Sequence, residues 1–226
     1  ADGLQYFDID TGKFTVWHHV PNDPRTLRGD GIQALALGGD GRLWIGSAAG
    51  LDSLSADRQR VEHHASDLAG RAVPVHALLV DSQQRLWVGR YGGLERHGPG
   101  GPGKGAPRRF GAGDGVGNEW ITTLRQDADG TVWAGTHDDG LYRWRAQGDR
   151  FDVFRHAVAD RHSLGDNYVS ALYRDDVGTF WAGTWYGGVS RVDLGGGGFA
   201  RIVGRPGEAH SLADNKIRAL LQDGDH

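Results

Sequence analysis

Apolar residues recur in short runs along this chain, and the same run is written four times. Each copy holds a tryptophan followed two residues later by glycine, at 43–46, 86–89, 132–135 and 180–183. The tryptophans lie 43, 46 and 48 residues apart, and a leucine stands nine residues before each of them. Self-similarity at a period of this size indicates a repeat architecture in which each copy is one supersecondary unit.

Within each copy, the alternation of apolar and polar residues predicts four short strands. The first strands are predicted over 32–37, 75–80, 121–126 and 169–174, each with a small third residue. A polar turn such as Gly39-Asp40-Gly41 has the composition of a β-hairpin and leads into the tryptophan strand. A Gly-Leu or Gly-Val strand follows, and an edge strand such as 151–154 completes the unit. This is the pattern of a four-stranded propeller blade, in which neighbouring blades cover each other and tryptophan fills the gap between them.

The sequence therefore predicts an all-β fold, a β-propeller of four-stranded antiparallel blades. A single domain or fragment over 1–226 is divided into a partial blade 1–20, blades at about 30–65, 73–112, 119–157 and 167–204, and a partial blade 215–226. Two interpretations stay open: a fragment of a larger propeller, with seven blades favoured, or a five-bladed ring closed by the termini. We favour the fragment, because closure through a three-stranded blade would leave a gap. The absence of methionine also suggests an excised or processed piece.

Composition excludes several classes of function. The chain has no cysteine, which rules out disulfides, thiol nucleophiles and cysteine-ligated metals. A net charge of −4 gives no basic surface for nucleic acid, and the 11 histidines are scattered. We find no nucleophile elbow, phosphate-binding loop or zinc-protease motif, so we predict no catalytic residues, no metal and no cofactor. No membrane-spanning run or signal peptide is evident in this chain.

A longer motif names the repeat. The stretch His-Ser-Leu-Ala-Asp-Asn-Lys-Ile-Arg-Ala-Leu at 210–220 recurs at 162–172, and a looser version lies at 22–27. Followed by Asp-Gly-x-Leu-Trp-Ile-Gly and Gly-Gly-Leu, this resembles the two-component-regulator propeller repeat, across essentially all of the chain. The stretch 65–74 departs from the pattern, so its loop should differ.

The resemblance implies a sensor module. Such propellers usually form the periplasmic, ligand-sensing part of a membrane-spanning bacterial regulator, and several members respond to oligosaccharides. The implied partners are a small-molecule or carbohydrate ligand, further propeller blades and a kinase or cyclase output domain in the parent chain. A homodimer is left open, and nucleic acid is not expected as a partner.

Ligand-binding residues are expected in the loops, because the strands of a propeller are committed to packing. The loops between second and third strands share a face with the starts of the first strands. That face predicts a candidate site of nine residues: Arg90, Tyr91, Glu119, Trp120, His137, Asp138, Tyr168, Trp185 and Tyr186. Aromatic side chains beside polar groups suit a sugar, which offers both C–H faces and hydroxyls. The alternative is that these aromatic residues only pack at the mouth of the channel and the nearby aspartates cap turns.

Three functions are compatible with the sequence. The first is a non-catalytic, extracytoplasmic sensor propeller in signal transduction. The second is a propeller-type lyase that uses His137 as a general base with Glu119. The third is a scaffold that binds protein through its rim. The sequence favours the sensor, since it holds no constellation of residues that demands chemistry.

Overall fold

The computed structural model describes residues 3–64, 73–117, 120–193 and 198–223. Apart from one 3-10 turn at Ala112–Asp114, the regular elements of these residues are all β-strands. Contacts divide the chain into two compact units, the first comprising Ala1–Tyr91 and Glu95–Arg108, the second Gly92–Leu94 and Arg109–His226. No helix in the described ranges is long and apolar enough to cross a membrane.

The chain begins with a two-stranded ribbon and continues with two four-stranded sheets. The ribbon pairs β1 (Leu4–Asp8) with β2 (Lys13–Trp17) in antiparallel register. The first sheet contains β3 (Ile32–Leu37), β4 (Leu43–Ser47), β5 (Gly50–Leu54) and β6 (Val61–His64). The second sheet contains β7 (Val75–Val80), β8 (Arg85–Arg90), β9 (Gly93–Pro99) and β10 (Arg108–Phe110). Its residues are shared between the two units.

Two more four-stranded sheets lie in the second unit. One contains β11 (Ile121–Gln126), β12 (Val132–Thr136), β13 (Leu141–Arg145) and β14 (Arg150–Phe154). The other contains β15 (Val169–Arg174), β16 (Phe180–Thr184), β17 (Val189–Asp193) and β18 (Gly198–Ile202). In all four sheets the strands lie side by side in chain order. The predicted fold class, an all-β propeller of four-stranded antiparallel blades, is confirmed.

The repeated tryptophans fill the space between adjacent sheets, as the sequence predicts. Trp44 and Trp133 are each 3% exposed. In the second unit, Trp133 stacks on Phe180 of the following sheet, with ring centroids 4.9 Å apart. The indole of Trp181 is only half-buried, and its Nε1 donates a hydrogen bond to Asp175. Burial of large aromatic surface between sheets is thus the main source of stability in each unit.

The glycine of each tryptophan strand allows the next first strand to approach closely. A Cβ at Gly135 would lie 2.9 Å from Val169 Cγ1, and one at Gly183 would lie 2.6 Å from Ile217 Cγ2. Distances this short are not tolerated, so any larger side chain would push the sheets apart. The invariance of this glycine across the four copies therefore follows from packing.

One prediction differs from the structure. The sequence predicts a first strand at 217–220 in the partial blade 215–226, but the described part of that segment forms no strand. Ile217 still takes the place of a first strand, because its backbone N–H donates to Thr184. Regular pairing is absent because a strand needs a neighbour on its ladder, and the segment has no tryptophan strand of its own among the described residues.

Candidate functional site

Two equivalent loops in the second unit share one hydrogen-bonded frame. Thr136 ends β12, and its Oγ1 donates to the carbonyl of Gly140 at 2.8 Å. Thr184 ends β16 and makes the same bond to Gly188 at 2.9 Å. Both glycines have positive φ, 83° and 70°, which lets each loop return sharply into the third strand. The frame holds the intervening side chains outward, His137 and Asp138 in one loop and Trp185 and Tyr186 in the other.

The segments that precede the first strands are held by aspartate and asparagine. Asp166 Oδ1 accepts the backbone N–H of Tyr168 at 2.8 Å, and Asp214 Oδ1 accepts that of Lys216 at 3.1 Å. Asn167 Oδ1 accepts the N–H of His156 at 2.7 Å. The Asp-Asn pair of the repeat therefore fixes the backbone, and its side chains are turn-capping groups, as the alternative interpretation of the sequence proposes.

Loop and first strand are joined in each blade through the residue at the start of the strand. The backbone N–H of His137 donates to the carbonyl of Trp120 at 3.0 Å. The backbone N–H of Trp185 donates to that of Tyr168 at 2.9 Å. These two bonds bring four ring-bearing residues from two blades to one side of the unit.

The four rings form one continuous stack, which we call the aromatic row: Trp120, His137, Tyr168 and Trp185. Trp120 and His137 are nearly parallel, with centroids 5.3 Å apart and an interplanar angle of 6°. His137 and Tyr168 are 4.3 Å apart, and Tyr168 and Trp185 are 5.1 Å apart at 13°. His137 and Tyr168 thus have a ring on each side, so they present their polar edges outward rather than their faces.

Two cations lie at the Trp185 end of the aromatic row. Lys216 Nζ is 4.0 Å from the centroid of the Trp185 ring, and the guanidinium carbon of Arg218 is 5.5 Å from it. Both side chains are exposed. The row therefore runs from an indole at one end to a positively charged end at the other.

Charged groups also flank the row. His137 Nδ1 lies 2.9 Å from Asp138 Oδ2, and the Asp138 side chain is 73% exposed. Burial raises the pKa of Tyr168, and the nearby Tyr186 and Asp138 add to this increase. The Tyr168 hydroxyl is therefore a hydrogen-bond donor at any physiological pH. Desolvation opposes ionisation of Asp139, but hydrogen bonds from Arg155 and Tyr142 hold its pKa below the ordinary value.

The structure assembles part of the predicted site. Trp120, His137, Tyr168 and Trp185 meet in the aromatic row, with Asp138 and Tyr186 exposed beside it. Glu119 lies outside the described residues. Two predicted residues belong to the first unit: Arg90 and Tyr91.

Arg90 is not a loop residue. It ends β8, is 5% exposed, and donates to the carbonyl of Val73 at 3.1 Å, with Glu95 Oε2 3.4 Å away. Tyr91 is 65% exposed in the following turn. The repeat itself indicates the position of Arg90, since it aligns with Thr136 and Thr184, which are both buried.

Sequence reasoning did not include Lys216 and Arg218 in the site. Lys216 stands 48 residues after Tyr168 and 96 after Trp120, so the register of the repeat places it at the end of the row. The spacing was the available signal, but the change of chemistry from ring to cation obscured it. Among the described residues, no group of three or more metal-ligating side chains comes together.

Comparison with known families finds one match. Residues 115–138 and 163–186 match the model of the family described as two component regulator propeller. These two segments contain the start of the first strands and all four members of the aromatic row. The comparison with curated proteins finds no match.

Solved structures share the fold. The extracellular domain assigned to a hybrid two-component system of B. thetaiotaomicron superposes with a TM-score of 0.77 at 21% identity, over 98% of this chain and 28% of that one. A second such domain gives 0.60 at 20% identity, over 99% of this chain and 35% of that one. Virginiamycin B lyase from Staphylococcus aureus gives 0.66 at 11% identity, over 91% of this chain and 64% of that one. The chain thus spans about a third or less of the length of the two-component domains, and these likenesses show the propeller fold.

Proposed function

The chain carries repeats of the two component regulator propeller family, and from this we propose that it is a non-catalytic, ligand-sensing propeller module of a bacterial signal-transduction regulator. Its ligand binds at the aromatic row and the exposed groups beside it. The parent protein carries further blades and a kinase or cyclase output domain. The module works outside the cytoplasm, in the periplasm, as the extracellular domains among its structural neighbours suggest.

The aromatic row is the observation that carries this proposal. Strand residues in a propeller are used for packing, yet four rings are gathered here outside the strands, at the ends of two blades. Trp120 is 36% exposed and Tyr186 is 71% exposed. Exposed aromatic area beside polar groups is typical of a binding surface rather than of a solvated one.

The chemistry of the row favours an oligosaccharide. The stacked rings present a line of N–H and O–H edges, with spacings of 5.3, 4.3 and 5.1 Å between centroids. A sugar chain offers hydroxyls that pair with such edges and C–H surfaces that pack on exposed indole or phenol rings. The carboxylate of Asp138 adds an acceptor for sugar hydroxyls.

Titration of a panel of oligosaccharides by calorimetry, read in parallel by tryptophan fluorescence, tests the proposal. We expect at least one member to bind, and Tyr186→Ala to weaken that binding about tenfold. Tyr6→Ala is the matched control, because Tyr6 is a similarly exposed tyrosine on β1, 51% against 71%, in the first unit. Equal loss of affinity in both variants, or no binding by any member of the panel, would contradict the proposal.

A lyase is the second candidate, because one structural neighbour is virginiamycin B lyase. His137 would then be the general base. Its ring is stacked between Trp120 and Tyr168, and its Nδ1 faces Asp138, which leaves Nε2 as the atom that could take a proton. Incubation with quinupristin, the compound bound in a structure of that lyase, followed by mass spectrometry, separates the two functions. A cleaved product that disappears in His137→Ala would replace the sensor with the enzyme.

A further inference from the structure

The repeat changes chemistry at one end of the aromatic row. Positions 120, 168 and 216 are equivalent, and they carry Trp, Tyr and Lys. Positions 122, 170 and 218 are equivalent as well, and they carry Thr, Ser and Arg. Both positions are therefore neutral in the first two copies and cationic in the third.

In the first two copies these positions serve the packing of blades. Trp120 and Tyr168 stack within the aromatic row. Thr122 Oγ1 donates to the carbonyl of Val169, and Ser170 Oγ donates to that of Ile217. Lys216 and Arg218 replace these packing groups with two full charges, which packing alone does not require.

The two cations lie over the same ring. Lys216 Nζ is 4.0 Å and the Arg218 guanidinium carbon 5.5 Å from the centroid of Trp185, so both side chains project to one side of their segment. Like charges held this close repel each other, and the attraction of each for an exposed indole is modest. An anion that contacts both would relieve the repulsion.

Neither cation has an acidic partner in the ranges that the structure describes. Nearby Arg205, by contrast, is 3.3 Å from Glu208. The adjacent Asp214 is engaged with the backbone N–H of Lys216. The chain as a whole carries a net charge of −4, so two adjacent cations without a carboxylate partner stand out from its surface.

We infer that Lys216 and Arg218 bind the carboxylate of an acidic sugar, so that the ligand of the aromatic row is a uronate-containing oligosaccharide. Arginine pairs with both oxygens of a carboxylate, lysine supplies a second charge, and Trp185 supports the sugar ring beside them. The exposed hydroxyl of Tyr186 is in the same loop as Trp185 and meets the sugar hydroxyls. This inference rests on the proposed function, because it names the class of ligand for the same site.

A pair of probes that differ only in charge tests the inference: trigalacturonate and its fully methyl-esterified form, titrated by calorimetry at low salt. We expect trigalacturonate to bind at least tenfold more tightly than the ester. Lys216→Gln and Arg218→Gln should each weaken trigalacturonate about tenfold and leave the ester unchanged. Arg191→Gln, an exposed arginine on β17, is the matched control and should change neither. All three side chains are exposed, so the fold is retained, and the melting temperature checks this.

The outcomes separate the inference from the proposed function. If acid and ester bind equally, or if a neutral oligosaccharide from the panel binds while trigalacturonate does not, the charge-based inference is overturned and the sensor remains. If the Gln variants bind trigalacturonate as the parent does, the cations are not the site and the inference fails. If no acidic or neutral oligosaccharide binds, both are overturned.

Discussion

Tyr168 and Trp185 are joined twice, once through the backbone and once through their rings. The carbonyl of Tyr168 accepts the N–H of Trp185 at 2.9 Å, and the two rings stack with centroids 5.1 Å apart. Trp120 and His137 repeat the arrangement one blade earlier. The backbone bond fixes the register of loop and strand, and the stack follows from it. The ring of Tyr168 also reaches His137 of the preceding blade, so it links the two blades.

This double link predicts that Tyr168 stabilises the second unit. Tyr168→Leu removes the stacking on both His137 and Trp185, and we expect the free energy of unfolding to fall by about 1–3 kcal/mol. Tyr186→Leu is the control, since that side chain is exposed in the neighbouring loop and should change stability by less than about 0.5 kcal/mol. Urea denaturation measures both. Equal values for the two variants would mean that the row contributes nothing to stability.

The tryptophans of the repeat predict a difference between two identical substitutions. Trp133 is 3% exposed and stacked on Phe180, so Trp133→Ala should reduce the free energy of unfolding by about 3–5 kcal/mol. Trp181 is only half-buried, so Trp181→Ala should cost clearly less. Thermal and urea unfolding of the two variants give the comparison. A larger loss at Trp181 than at Trp133 would contradict the packing described for the second unit.

The close approach at Gly135 predicts a strong effect of a single methyl group. A Cβ there would lie 2.6 Å from Thr123 Cγ2 and 2.9 Å from Val169 Cγ1, so Gly135→Ala should destabilise the unit by about 1–3 kcal/mol. Gly113→Ala is the control, because nothing lies within 4 Å of a Cβ at that position. The midpoint of urea unfolding reports the difference. An unchanged midpoint for Gly135→Ala would mean that neighbouring strands yield easily.

His64 predicts a pH dependence of stability. Burial lowers its pKa from 6.5 to about 4, and its Nε2 lies 2.8 Å from Ser53 Oγ. The unfolded chain then takes up a proton as the pH falls below 6.5, while the folded chain resists until about pH 4. Stability is therefore lost as the pH falls through this window, by about 1–2 kcal/mol for a ring that is not fully buried.

Substitution isolates this contribution. His64→Gln keeps a polar side chain near Ser53 but cannot titrate, so the free energy of unfolding should depend less on pH between 6.5 and 4. His18→Gln, at an exposed position, should behave as the parent does. A series of urea titrations across the window measures the slopes. The same slope in His64→Gln and in the parent would assign the titration to another group.

Much of the fold could be read from the sequence because each blade repeats the same local pattern. The four predicted first strands coincide with β3, β7, β11 and β15, since alternation, turn glycines and the tryptophan all indicate the same register. Pairing of the C-terminal segment could not be predicted from its own residues. Ile217 has the right sequence for a strand, but a ladder also needs a partner.

The site was predicted less completely, for a different reason. The spacing of 48 residues indicates that Tyr168 and Trp120 are equivalent, and so brings the right residues to the same loops. It does not fix χ angles, so the stacking of the rings on one another could not be predicted. Arg90 was assigned to the loop from its charge, although its side chain is folded back against Val73 and Glu95.

The bulge in each first strand has a consequence for how blades join. The register shifts after Ile121 and again after Val169, so Thr122 and Ser170 are turned out of the ladder and reach the carbonyls of Val169 and Ile217 in the next blade. An acceptor that belongs to the main chain is the same whatever side chain its residue carries. A blade can therefore be copied, inserted or exchanged without a matching substitution in its neighbour, and the join itself places no restriction on which loops the new blade brings.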